Sequence, residues 1–152
     1  MYTPKYFTLA ELAKSSTAIK YKLDNTPSEL VKQKLLLLIE NTLDPVRTMW
    51  GKPITVTSGY RSPLVNAKAG GAKASSHLTG EAADIQVGGG RKEEVWKLYT
   101  MIKRSRIPYS KMIFEVNKRG SYWVHISYVA NSVTRLPMIY DIRTGKYNID
   151  RT

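Results

Sequence analysis

The sequence predicts an α+β fold, with a mainly antiparallel sheet flanked by helices, as a single domain over residues 1–152. Three observations carry this expectation. Capped helical segments fill the first third of the chain, short β-branched runs begin at Ile54, and turn-sized gaps separate the last strands. A chain of 152 residues is also long enough to bury a core without disulfide staples.

Thr8-Leu9-Ala10-Glu11 reads as a capping box that opens a short first helix. Thr26-Pro27-Ser28-Glu29 repeats the device, and the helix that follows is expected to run to about Met49. Leu30, Leu35, Leu38, Thr42 and Val46 approximate its apolar stripe, and Trp50-Gly51-Lys52-Pro53 stops it. Residues 54–58 form a β-branched strand that delivers Tyr60 and Arg61 at its end. Ser62-Pro63 starts a brief helix, closed by Gly70-Gly71. Residues 83–87 make the next strand, with Asp84 at its beginning. After Gly88-Gly89-Gly90, residues 91–104 read as a helix burying Val95, Leu98, Tyr99 and Ile102. Strands at 111–116 and 122–128 and a hairpin over residues 138–149 complete the sheet.

The chemistry concentrates in residues 75–84, where His77 and Asp84 lie in a setting of small residues. The other of the chain's 2 histidines, His125, sits in the alternating stretch Trp123-Val124-His125-Ile126-Ser127. Two imidazoles and a carboxylate from separated segments make a three-ligand zinc site with one position open to water; a structural zinc is closed by four ligands, usually with cysteines, and this chain has 0. An open zinc brings the pKa of water to about 7, which is hydrolytic chemistry. Spacing alone does not separate this from a capping histidine, a core histidine and a strand aspartate; the surrounding pattern does.

Ser75-x-His77-x-x-Gly80-x-Ala82-x-Asp84, preceded by Ser58-Gly59-Tyr60-Arg61-Ser62 and followed by Trp123-Val124-His125, resembles the D-alanyl-D-alanine carboxypeptidase family of zinc peptidases. The resemblance runs from about Phe7 to Ser127 and is nearest to small single-domain phage-type and bacterial members. It implies a hedgehog/DD-peptidase-like fold, zinc held by His77, Asp84 and His125, and hydrolysis of the peptide stems of bacterial peptidoglycan. Both a carboxypeptidase and a stem endopeptidase fit it. It further implies that Arg61 holds substrate and meets the oxyanion that develops at the scissile carbonyl. Tyr60, Ser75 and Trp123 are candidate substrate-cleft residues, Ser75 as a hydrogen-bonding support of the site rather than a reacting group.

The general base is the departure, because better-known members carry an acid three positions before the last histidine and this chain has Tyr122 there. Glu115 is the candidate base and Glu81 the runner-up. Strand parity decides what Glu115 requires. Pairing Val116 with Ser121 turns Glu115 away from His125. Pairing Val116 with Gly120 across a three-residue loop puts Glu115 on the face of Trp123 and His125, and this register is the expectation. Tyr122 also motivates an alternative, a non-catalytic wall-binding or phage-particle module with a vestigial zinc site.

Lys and Arg number 24 against 12 Asp and Glu, a net charge of +12. The basic residues are dispersed, which fits encounter with an anionic cell wall and offers no platform for specific nucleic-acid recognition. No phosphate-loop string and no G-x-S-x-G elbow occurs, which argues against nucleotide binding and a serine triad. The longest aliphatic run, residues 35–39, is far short of the roughly 20 residues that span a bilayer. The opening Met1-Tyr2-Thr3-Pro4-Lys5 lacks the pattern of a secretory signal. A monomer made in the cytoplasm, reaching the wall by lysis, a holin or a phage particle, is therefore expected.

Overall fold

The architecture comes from a computed structural model that describes residues 2–152. Six strands form one sheet in the order β1-β2-β4-β3-β5-β6. Their ranges are β1 Thr55–Ser58, β2 Ala82–Gln86, β3 Lys111–Val116, β4 Tyr122–Ser127, β5 Leu136–Asp141 and β6 Lys146–Ile149. Every neighbouring pair is antiparallel except β3 with β5. The helices are α1 Leu9–Ala13, α2 Ser16–Tyr21, α3 Glu29–Leu38, α4 Asp44–Trp50, α5 Pro63–Lys68 and α6 Lys92–Arg104. This is the α+β class the sequence predicts.

The capping signals act as their chemistry requires. Thr8 and Glu11 satisfy each other's backbone N–H groups at the start of α1, and Ser62 Oγ accepts from Val65 at the start of α5. The helix expected to run on to about Met49 is interrupted between α3 and α4: Ile39–Leu43 is a π-helical turn, where Asp44 N–H reaches back to the Ile39 carbonyl. Pro45 is the local cause, since it has no N–H and its ring collides with the carbonyl four residues back in a regular α-helix. The buried stripe is Leu35, Leu38, Ile39, Thr42, Leu43 and Val46, while Leu30, expected on that stripe, lies in the first turn of α3 and is 63% exposed.

The sheet is two-faced. Ala83, Ile85, Val124, Ile126, Met112 and Phe114 point to the helical side and are buried with Val95, Leu98, Tyr99 and Ile102 of α6. The alternate residues Asp84, His125, Trp123, Ile113 and Glu115 face the other side, which no long helix covers. Asp84 corrects one expectation: it is the middle residue of β2, not its first, and is paired with Ser58 on one side and His125 on the other. A ligand flanked by two ladders is held more firmly than one at a strand end. No helix among the described residues is long and apolar enough to cross a membrane.

Candidate metal centre

Each fixed position of the 75–84 motif has a mechanical reason. Ser75 Oγ accepts from His77 N–H at 3.2 Å and caps the 3₁₀ turn Ser76–Thr79 that carries the histidine. Gly80 ends that turn at φ +78°, where a Cβ would stand 2.9 Å from the Val31 carbonyl oxygen, so only glycine fits. Ala82 is fully buried where the chain enters β2, and Asp84 follows on the cleft face. Upstream, a Cβ on Gly59 would lie 2.1 Å from the Leu12 carbonyl oxygen, so the absence of a side chain lets this loop press against α1. In that position the Gly59 carbonyl meets His77 Nδ1 at 2.7 Å.

This last contact fixes the tautomer. A carbonyl only accepts, so Nδ1 is the donor and, in the neutral ring, Nε2 keeps a lone pair. That nitrogen faces Asp84 Oδ1 at 3.3 Å, and His125 Nδ1 faces the same oxygen at 3.0 Å. Ligand atoms of His77, Asp84 and His125 all lie within 4.8 Å of one another. A neutral His77 nitrogen aimed at a carboxylate is acceptor against acceptor, and a cation between them relieves it. A zinc tetrahedron with bonds near 2.05 Å has edges of about 3.3 Å, so the two shorter separations match the donor spacing that zinc needs. The residues present therefore fit the metal, with Gly59 supplying the outer hydrogen bond that orients one ligand.

The triad lies at the floor of a cleft of about 380 Å³ that also gathers Arg61, the Gly70–Gly71 loop, Ser75, Ile113, Glu115, Trp123 and Tyr147. That volume is at the small end of the roughly 300–1,000 Å³ of ligand sites, enough for a short peptide segment. Asp84 is half-buried, and the desolvation opposes ionisation, but the hydrogen bond from His125 and the neighbouring His77 imidazole outweigh this and hold its carboxyl below the usual carboxylate range. Glu115 moves the other way: burial first, then the Asp84 charge, pushes it up from 4.5 to about 7, against the pull of His125 and Arg61. Burial likewise lowers Arg61, whose Nε is a buried donor with no partner.

The hairpin register differs from expectation by two residues. Val116 pairs with Tyr122, not with Gly120, and Glu115 pairs with Trp123. Asn117 is the reason: its N–H bonds the Ser121 carbonyl, while its side-chain oxygen accepts from Arg119 and Ser121, carrying the ladder one step further. A slip of two preserves the face, so Glu115 does lie beside Trp123 and His125. Tyr122 points to the opposite face and stacks on Phe114 with ring centroids 5.1 Å apart.

Two other placements differ. Tyr60, a candidate cleft residue, is 7% exposed and packs in the core. Glu81 stands apart from the triad, hydrogen-bonded to Thr79 and 3.6 Å from Lys34 Nζ, and lines a separate hollow with Leu37 and Tyr128. Sequence reasoning missed Ile113 and Tyr147. Both follow from strand alternation once the register is known, but Tyr147 sits on a tail hairpin whose place in the sheet no local signal gives.

An open two-imidazole, one-carboxylate centre in a cleft, beside a half-buried acid and an arginine, is the layout of a metallohydrolase. The comparisons agree: residues 5–127 match the model of the peptidase M15 family, and the chain belongs to that family. It is 33% identical over 86 residues to the zinc D-Ala-D-Ala carboxypeptidase of Streptomyces albus G, a match covering 57% of this chain and 33% of that protein.

Proposed function

We propose that this chain is a zinc-dependent peptidase that hydrolyses the peptide stems of bacterial peptidoglycan, as a single-domain monomer drawn to the anionic wall by its charge. The convergence of His77, Asp84 and His125 in a cleft that also holds Glu115 and Arg61 carries the reading, and the likeness to a zinc D-Ala-D-Ala carboxypeptidase supplies the substrate class. Zinc bound by the three side chains supplies Lewis acidity and brings the pKa of water toward neutrality. Glu115 takes the proton from the attacking water and passes it to the leaving amine, a role suited by its place beside His125 on the cleft face of the sheet. Arg61, its charge already partly desolvated, meets the oxygen that gains negative charge in the transition state. Trp123 forms a wall of the cleft, and Ser75 holds the turn of His77. Delivery to the wall by lysis, a holin or a phage particle belongs to the same proposal.

The test is digestion of purified peptidoglycan with and without zinc and chelator, followed by mass spectrometry of the muropeptides. Zinc-dependent loss of a terminal D-alanine, or a cut within the stem, is the expected outcome and tells carboxypeptidase from endopeptidase. Equal digestion in chelator overturns the metal mechanism. Protein that sediments with walls and holds zinc, yet releases no new termini, is a binding module instead.

A further inference from the structure

The family match ends at residue 127, and the β5–β6 hairpin lies beyond it. That hairpin nonetheless reaches the cleft. On the open face of the sheet one row of side chains runs across three strand boundaries. Trp123 pairs with Glu115. The parallel ladder that sets Ile113 by Met138 and Phe114 by Ile139 brings Tyr140 beside Glu115, and Tyr140 pairs with Tyr147. The Tyr140 and Tyr147 rings meet with centroids 4.8 Å apart, which steadies the outer ring. Tyr147 lines the same cavity as Glu115 and His125, yet remains 51% exposed.

The cleft thus has two chemically different ends. Arg61 and the Gly70–Gly71 loop bring charge and close backbone approach to one, where a Cβ on Gly71 would crowd Arg61 Nη1 at 3.2 Å. Ile113, Trp123 and Tyr147 make the other apolar and aromatic. A peptide whose carbonyl or carboxylate end is held near Arg61 has its continuing chain directed over the aromatic end.

We propose that Tyr147 is a specificity-determining residue, forming the outer wall of the cleft and favouring peptides that extend past the scissile dipeptide over peptides that stop there. The occupant is an extended peptide with small apolar side chains, which a flat ring covers without demanding a pocket. The inference rests on the peptidase reading given above.

A nested series of synthetic stem peptides that share the bond cut in the wall digest provides the test, with the full zinc-loaded chain. Tyr147→Ala is expected to raise KM for the longest peptide about tenfold, the factor that one aromatic contact supplies, with kcat within about twofold and the shortest peptide unaffected. Tyr147→Phe keeps the ring and is expected to behave as wild type. Tyr147→Thr removes the ring while suiting an edge strand, so it repeats the measurement should the alanine variant fold poorly. A KM unchanged for long peptides, or raised equally for short and long, overturns the proposal and leaves the peptidase reading intact. A wild-type protein that cuts no peptide of the series removes both.

Discussion

Asp44 and Asp84 are two inward-facing carboxylates in opposite situations. Asp44, 3% exposed at the start of α4, is surrounded by donors: the Tyr2 hydroxyl, Lys5 N–H at 2.7 Å, Tyr6 N–H at 3.0 Å and Phe7 N–H at 3.4 Å. It staples the N-terminal segment to the helical layer and asks for nothing more. Asp84 is met only by two imidazoles, and the proton of one is committed to Gly59. The contrast teaches that burial does not mark a working carboxylate; a shortage of donors does. One site is complete as protein, and the other has the donor set that a cation would complete.

The largest expected difference comes from cutting each carboxylate away. Asp84→Ala should abolish zinc retention and stem-peptide cleavage while the circular dichroism of the fold persists; zinc held at wild-type stoichiometry would remove Asp84 from the ligand set. Next in size is Glu115→Gln, which should keep zinc and lower kcat by about 10²–10⁴-fold. In the wild type, kcat/KM should rise with pH on an acid limb that Glu115→Gln lacks, because the base must be ionised to act. A Glu81→Gln variant should cleave as wild type, since Glu81 faces Lys34 in another hollow.

How much of this was legible in the sequence depends on the range of the forces involved. His77, Asp84 and His125 were readable because a local string fixes the first two and strand alternation the third. Glu115 was readable by parity alone: the register expected for Val116 was off by two residues, an error that returns every side chain to the same face. Tyr60 was misplaced because Gly59 presses against Leu12 and turns the next side chain into the core, a contact between distant segments. The π turn before Pro45 and the docking of the tail hairpin beside β3 are likewise tertiary outcomes, and Tyr147 was lost with the latter.

Asp44→Ala has a smaller effect and a different kind of readout. It strips acceptors from three backbone N–H groups, at about 1–3 kcal/mol for each group left dry. The freed segment can peel into water, so a total near 3 kcal/mol is expected, a fall in Tm of roughly 6–12 °C for a chain of this size. Zinc affinity of the folded protein should not move. Loss of zinc binding in this variant would show the two regions to be coupled through α3 and α4, and the comparison would fail.

The smallest effect is a pH slope in the metal-free protein. Burial and the Asp84 charge raise Glu115 from 4.5 to about 7, so between those values the folded protein keeps a proton that the unfolded chain has released. Stability due to this group is therefore whole below 4.5 and is lost as pH climbs through about 7. Water reaching an open cleft reduces the loss to about 1–2 kcal/mol. Asp84 works in the reverse sense, its contribution disappearing as pH falls below 3.8, so the two windows do not overlap. Subtracting melts of Glu115→Gln from wild type isolates the Glu115 slope. Zinc should flatten it, because a dication held by the triad favours the ionised carboxylate in the folded state and brings its titration back toward that of the unfolded chain. A difference curve flat from 4.5 to 7 without metal would mean that Glu115 is solvated and unfit as the base.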